Sequence, residues 1–161
     1  MLIQKGTVLD RFELLQLLGK GGMGEVYQAR DLRLNRIVAV KVLSRSVIEK
    51  PTVLARFKKE MQVLAKMSHP NIVKIYTYGN IDDVYYFVQE YVQGRDLQEL
   101  LDDDGPFSQQ EVLNLARCMA DAFDHYHELG VIHRDLKPAN IMKDQKKVYK
   151  IMDFGLVRDE E

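Results

Sequence analysis

The 161 residues carry 46% hydrophobic and 29% charged side chains, which excludes a wholly disordered chain and allows one substantial domain or two small lobes. Lys plus Arg number 23 against 24 Asp plus Glu, so no basic excess supports nucleic-acid binding through the phosphate backbone. The single Cys118 excludes a disulfide scaffold and a cysteine-rich metal site.

In chain order, three β-rich runs come first: Phe12 to Leu18, Glu25 to Arg30 and Ile37 to Leu43. Their tight connections predict an antiparallel meander. A helix is predicted from Pro51, with Val53, Phe57, Met61, Leu64 and Ala65 as its apolar stripe, ending before His69-Pro70. Two strands follow, Ile72 to Tyr78 and Val84 to Val88, and Gly94 breaks the chain before a short helix over Leu97 to Leu101. The clearest helix spans Ser108 to Leu129. Ser108 and Glu111 form its capping box, Phe107 and Val112 occupy staple positions, and Gly130 is a left-handed stop. Ile141-Met142 and Val148 to Met152 read as short strands around an Asp144 to Lys147 turn. The shift from strand-rich to helix-rich composition places a lobe boundary near residue 92. No secretory signal opens the chain, and charged residues interrupt every apolar stretch before the ~18 residues of a membrane span, so the chain reads as soluble and cytoplasmic.

Gly19-x-Gly21-x-x-Gly24 is open to two readings by itself, a glycine-rich hairpin turn or a flap whose backbone N–H groups approach phosphates because no Cβ intervenes. A dinucleotide fingerprint is disfavoured because strand, not helix, follows Gly24. A Walker A loop fails because Glu25-Val26 stands where Lys-Ser/Thr is required. Among other conspicuous residues, His125 and His127 are two apart on a helix and share no face. Asp102-Asp103-Asp104 reads as a solvated helix end, the seven methionines as gap-filling core, and Cys118 as a buried, inert thiol.

The glycine loop is followed by Val38-Ala39-Val40-Lys41, then His133-Arg134-Asp135-Leu136-Lys137-Pro138-Ala139-Asn140, then Asp153-Phe154-Gly155. This ordered set resembles the protein kinase family, and Leu18 to Tyr27 looks most like the bacterial Ser/Thr kinases of eukaryotic type. The resemblance covers residues 10 to 158. It implies an α+β bilobal fold, with an antiparallel-sheet N-lobe and one helix over 10–91, and a helical C-lobe begun over 92–161. Activity would be transfer of the ATP γ-phosphoryl group to a Ser/Thr hydroxyl of a protein substrate, with ATP and Mg²⁺ as cofactors.

The resemblance also implies roles for single residues. Lys41 would reach the α- and β-phosphates, with Glu60 as its ion-pair partner. Asp135 would accept or orient the substrate hydroxyl proton, and Lys137 would steady the γ-phosphate. Asn140 and Asp153 would hold Mg²⁺. Arg134 would pair with a phosphorylated activation loop. Leu18, Gly19, Lys20, Gly21, Gly22, Met23 and Gly24 would cover the nucleotide; Val26, Ala39 and Met142 would sandwich adenine. Gln89 would be the gatekeeper, with Glu90 and Val92 as hinge contacts. Leu64, Ile75, His133 and Phe154 match the family's regulatory spine. The family's activation segment and further helices would follow Gly155, and the sequence ends six residues later, so the expectation is a partial kinase domain. The alternative is a catalytically silent ATP-binding or interaction module.

Overall fold

The computed structural model describes residues 3–128, 130, 133 and 135–152. These form two compact units. Among the described residues, the first comprises those up to Met67 and Lys74–Tyr91; the second comprises Ser68–Val73 and those from Val92 to Met152.

Strands β1 (Val8–Leu9), β2 (Phe12–Gly21), β3 (Gly24–Asp31), β4 (Arg36–Leu43), β5 (Ile75–Ile81) and β6 (Val84–Glu90) make one antiparallel sheet in the first unit, in the order β1-β2-β3-β4-β6-β5. Period-two alternation gives the sheet two faces. Phe12, Leu14, Tyr27, Ala29, Val38, Val40, Val42, Tyr86 and Val88 cluster on one of them. On the other, Phe87 meets Phe57 of helix α2 (Pro51–Leu64) at 6.0 Å between ring centroids. Helix α2 buries the predicted stripe Val53, Phe57, Met61 and Leu64, and Pro51 stands in its first turn, where the missing N–H costs nothing. Asp31 closes the β3–β4 turn. Its fully buried carboxylate accepts the Arg33 and Leu34 N–H groups at 3.1 and 3.2 Å and pairs with Arg11 Nε at 3.2 Å.

The second unit holds a three-stranded sheet of β7 (Gly94–Asp96), β8 (Ile141–Asp144) and β9 (Tyr149–Ile151), with helices α3 (Leu97–Asp104) and α4 (Gln109–Glu128). The predicted capping box starts α4: Ser108 Oγ accepts the Glu111 N–H at 3.3 Å, and Glu111 Oε2 accepts the Ser108 N–H at 3.1 Å. Gly130, with φ of 68°, takes the left-handed conformation expected after the helix. Among the described residues, no helix is long and apolar enough to cross a membrane.

Several predicted boundaries shift, each for a physical reason. Strand pairing runs through the glycines as far as Gly21 opposite Gly24, leaving Gly22-Met23 as a two-residue turn, because ladder bonds need backbone and no side chain. The strand expected from Ile72 begins at Ile75 instead. Asn71 and Val73 are drawn to another partner, the Asn71 carbonyl accepting from Ile151 N at 2.8 Å and Val73 N donating to the Ile151 carbonyl at 3.0 Å. Helix α3 continues past Leu101 through Asp104, where acidic groups face the negative end of the helix dipole. Arg95 offsets this by pairing with Asp103 at 2.8 Å and Asp104 at 3.1 Å. Val112 is 49% exposed, so the staple position buries little, and Cys118 is half-buried rather than buried. The short elements β1, β7 and helix α1 (Arg45–Ile48) carry too few residues to show periodicity.

Helix α4 is tied to β8 by Lys143 Nζ and Glu111 Oε1, 3.0 Å apart. The Lys143 ammonium, with the Ser108 hydroxyl and N–H, holds the Glu111 carboxyl down at about 2 against an ordinary 4.5. A depressed folded-state pKa gives stabilisation that is complete above pH 4.5 and lost as pH falls through about 2. Thermal unfolding followed against pH should therefore show a shallower acid decline between those values in Glu111→Gln than in the wild type. Equal slopes would remove this pair from acid stability.

Candidate functional site

Cross-strand register gathers the nucleotide candidates of the first unit. Val26 lies opposite Lys41, Lys41 opposite Phe87, and Ala39 opposite Gln89. Directly paired residues point to the same face of a sheet, so Val26, Ala39, Lys41, Phe87 and Gln89 share the face that packs α2. Lys41 is only 6% exposed, and its ammonium sits 5.9 Å from the Phe87 ring centroid. A cation kept this dry on a sheet face serves an anion. Glu60 lies three residues after Phe57 and four before Leu64 on α2, at the margin of the buried stripe, and its Oε2 is shielded from solvent. Leu64 and Ile75 are buried in this unit, as core positions should be.

The glycine hairpin extends from the same strands. Leu18, Gly19, Lys20, Gly21 and Gly22 are exposed, Met23 is half-buried and Gly24 is buried. Gly24 has φ of 141°, and a Cβ there would overlap the carbonyl oxygen of Val42, so only glycine lets β3 lie this close to β4. Lys20 spans the hairpin to Glu25, Nζ to Oε1 at 2.8 Å, while the Tyr27 hydroxyl donates to Glu25 Oε2 at 2.6 Å. The Lys20 bond, then the Tyr27 bond, lowers the Glu25 pKa; burial and Glu25 push the Tyr27 phenol up to about 12. Glu90 ends β6, its N–H donating to the Lys74 carbonyl at 2.8 Å.

In the second unit the catalytic candidates converge within one loop. The Asn140 amide group donates to the Asp135 carbonyl at 2.8 Å and to Asp135 Oδ2 at 3.0 Å, and Lys137 Nζ lies 3.2 Å from that same oxygen. Pro138–Asn140 form a single 3-10 turn, which brings Asn140 back over Asp135. His133, 5% exposed, steadies the loop: the Asp135 N–H donates to Nδ1 at 3.3 Å, which leaves Nε2–H to donate to the Met152 carbonyl at 2.8 Å. The two bonds from Asn140 Nδ2 fix which end of the amide faces Asp135, leaving Oδ1 on the opposite side as a hard oxygen donor of the kind a Mg²⁺ ion takes. Val92 is buried, and Met142 follows Asn140 into β8, paired with Asp96 and Lys150. Asp153, Phe154, Gly155 and Arg134 lie outside the described residues.

Sequence reasoning missed two residues that shape these loops. Asn71, 8% exposed, donates to the Tyr149 carbonyl at 2.8 Å and takes its own N–H to His69 Nδ1 at 3.1 Å. An asparagine directly after His-Pro, between helix and strand, was the available signal. Ser44 was the other, a small hydroxyl residue directly after a strand.

Comparison with known proteins bears on both units. The protein kinase domain profile matches residues 12–161. The chain is 42% identical over 153 residues to the serine/threonine-protein kinase PknB of Mycobacterium leprae, covering 92% of this chain and 25% of that protein. It is 40% identical over 156 residues to the serine/threonine-protein kinase PrkC of Bacillus subtilis, covering 97% and 24%. The chain thus spans about a quarter of the length of these curated relatives. Among solved structures, the Mycobacterium tuberculosis PknI kinase domain superposes with a TM-score of 0.88 at 29% identity, over 98% of this chain and 64% of that one. Rad53 in complex with AMP-PNP gives 0.80 at 30% identity, over 91% and 39%.

Proposed function

Because this chain belongs to the protein kinase domain family, we propose that it serves the ATP-dependent phosphorylation of serine or threonine in protein substrates. The observation that carries the reading is the loop in which Asn140 and Lys137 both engage one carboxylate oxygen of Asp135. Such a constellation holds a carboxylate in place while a hydroxyl is brought to it. Asp135 accepts the proton of the substrate hydroxyl, whose oxygen bonds to the γ-phosphorus as the bond to the ADP oxygen breaks. Lys137 offers positive charge to the transferred group. Lys41, oriented by Glu60, binds the α- and β-phosphates, and the Leu18–Gly24 flap covers them with backbone N–H groups. On the family resemblance, Val26, Ala39 and Met142 are assigned to adenine contact, and Gln89, Glu90 and Val92 to its polar edge. Asn140 and Asp153 hold Mg²⁺, which neutralises phosphate charge when bound. The lobes are taken as residues 10–91 and 92–161, with Ser68–Val73 grouping with the second, and the reaction would run in the cytoplasm, where ATP is supplied. PknB and PrkC, named as Ser/Thr kinases, support the acceptor class.

Calorimetry of the chain with Mg-ATP tests this. Losing a charge-assisted hydrogen bond costs about 1.5–3 kcal/mol, so Lys41→Met should bind roughly tenfold or more weakly, and Asp153→Asn should weaken the Mg²⁺-dependent part. If the wild type binds no better than either variant, the nucleotide site is wrong. Tight binding without phosphotransfer would favour the silent ATP-binding module.

A further inference from the structure

Ser44 precedes α1 in the N-cap position, with extended backbone (φ −70°, ψ 155°), yet its hydroxyl makes no capping bond to that helix. Serine at this position commonly spends its oxygen on the helix N–H groups. Here the hydroxyl instead donates to the Gly22 carbonyl at 3.1 Å, and the Ser44 N–H donates to the Met23 carbonyl at 2.9 Å. Gly22 and Met23 are the two turn residues of the glycine hairpin, so both donors of one residue grip the tip of the flap from 22 and 21 positions along the chain. The grip has a directional consequence. A trans peptide sets its N–H opposite its C=O, so holding the Gly22 carbonyl toward Ser44 turns the Met23 N–H away from Ser44.

We propose that Ser44 is a positioning residue of the flap: its hydroxyl fixes the peptide between Gly22 and Met23 so that the Met23 N–H is presented to a phosphate of the bound nucleotide. The inference rests on the nucleotide-binding reading above. Gly22, with Gly21 before it and Gly24 just beyond Met23, gives this peptide wide conformational freedom, and a donor that must be ordered on binding gives up part of its affinity. Ser44 orders it beforehand. The effect belongs to the phosphates alone, because the hydroxyl acts on the flap tip and on no residue assigned to adenine.

The test measures ATP and adenosine affinity separately, by calorimetry on the whole chain, for wild type, Ser44→Ala and Ser44→Thr. One hydrogen bond is worth about a three- to tenfold change in affinity. Ser44→Ala should therefore lose about three- to tenfold for ATP with adenosine unchanged, and Ser44→Thr, which keeps the hydroxyl, should restore the ATP value. Unchanged ATP affinity in Ser44→Ala overturns the proposal while leaving the nucleotide reading intact. Parallel weakening of ATP and adenosine overturns it as well, since that marks a general loosening of the fold. Equal ATP loss in both variants rejects the hydroxyl as the agent. Absence of ATP binding by the wild type removes the nucleotide reading itself, and this proposal with it.

Discussion

Asp135→Asn should lower the rate of phosphoryl transfer by about 10²- to 10⁴-fold, the range supplied by a positioned general base, while leaving ATP affinity within about threefold. The change is isosteric. The side-chain oxygen of the new amide can still receive Asn140 Nδ2, now 3.0 Å from Asp135 Oδ2, and the bond to the main-chain carbonyl at 2.8 Å is untouched. What disappears is the negative charge that faces Lys137 at 3.2 Å and the capacity to take a proton. The loop therefore keeps its shape and loses its chemistry. Single-turnover transfer from labelled ATP, with parallel binding measurements, separates the two. A rate within tenfold of the wild type would remove Asp135 from the role of base.

Gly24→Ala should destabilise the chain by roughly 2–6 kcal/mol, combining about 1–3 for a backbone conformation that L residues avoid with about 1–3 for forced displacement of packed neighbours. The obstacle is the main-chain carbonyl of Val42, with Leu43 Cα at 3.0 Å behind it. Val42 cannot retreat, because it is paired with Glu25 on one side and Tyr86 on the other. Any retreat of β4 would also carry Lys41, the adjacent residue, so nucleotide affinity should fall with stability. Gly21→Ala is the matched control. A Cβ at Gly21 meets nothing within 4 Å, and the cost in denaturant unfolding should stay within about 0.5 kcal/mol. Equal destabilisation by the two substitutions would contradict the close approach seen at Gly24.

The three glycines of the motif thus look alike as letters and differ in physical role, and that contrast marks how far the sequence could be read. Helices α2 and α4 were legible because Val53, Phe57, Met61 and Leu64 repeat at helical spacing and Ser108 and Glu111 announce a start. The meander was legible from its β-branched runs and turns. The catalytic loop residues were legible as a motif, but their joint hold on one oxygen of Asp135 depends on a 3-10 turn that no periodicity encodes. The start of β5 was misplaced for a different reason. Ile72 and Val73 are good strand residues, and local propensity cannot tell which of two distant partners will win them. Ser44 was legible only as a small hydroxyl residue after a strand, because its partners are the carbonyls of Gly22 and Met23, groups every residue possesses.

The allegiance of Ser68–Val73 has a consequence for dissecting the protein. These six residues belong to the second unit although the chain on both sides belongs to the first. A single cut near residue 91 would leave the N-terminal piece holding Asn71, Ile72 and Val73 without the strand that satisfies them. It would equally strip β9 of its bridge to Ile72, leaving β8 as its one paired neighbour among the described residues. Among the described residues the chain passes between the two units three times, after Met67, Val73 and Tyr91, so no single cut in the sequence divides them.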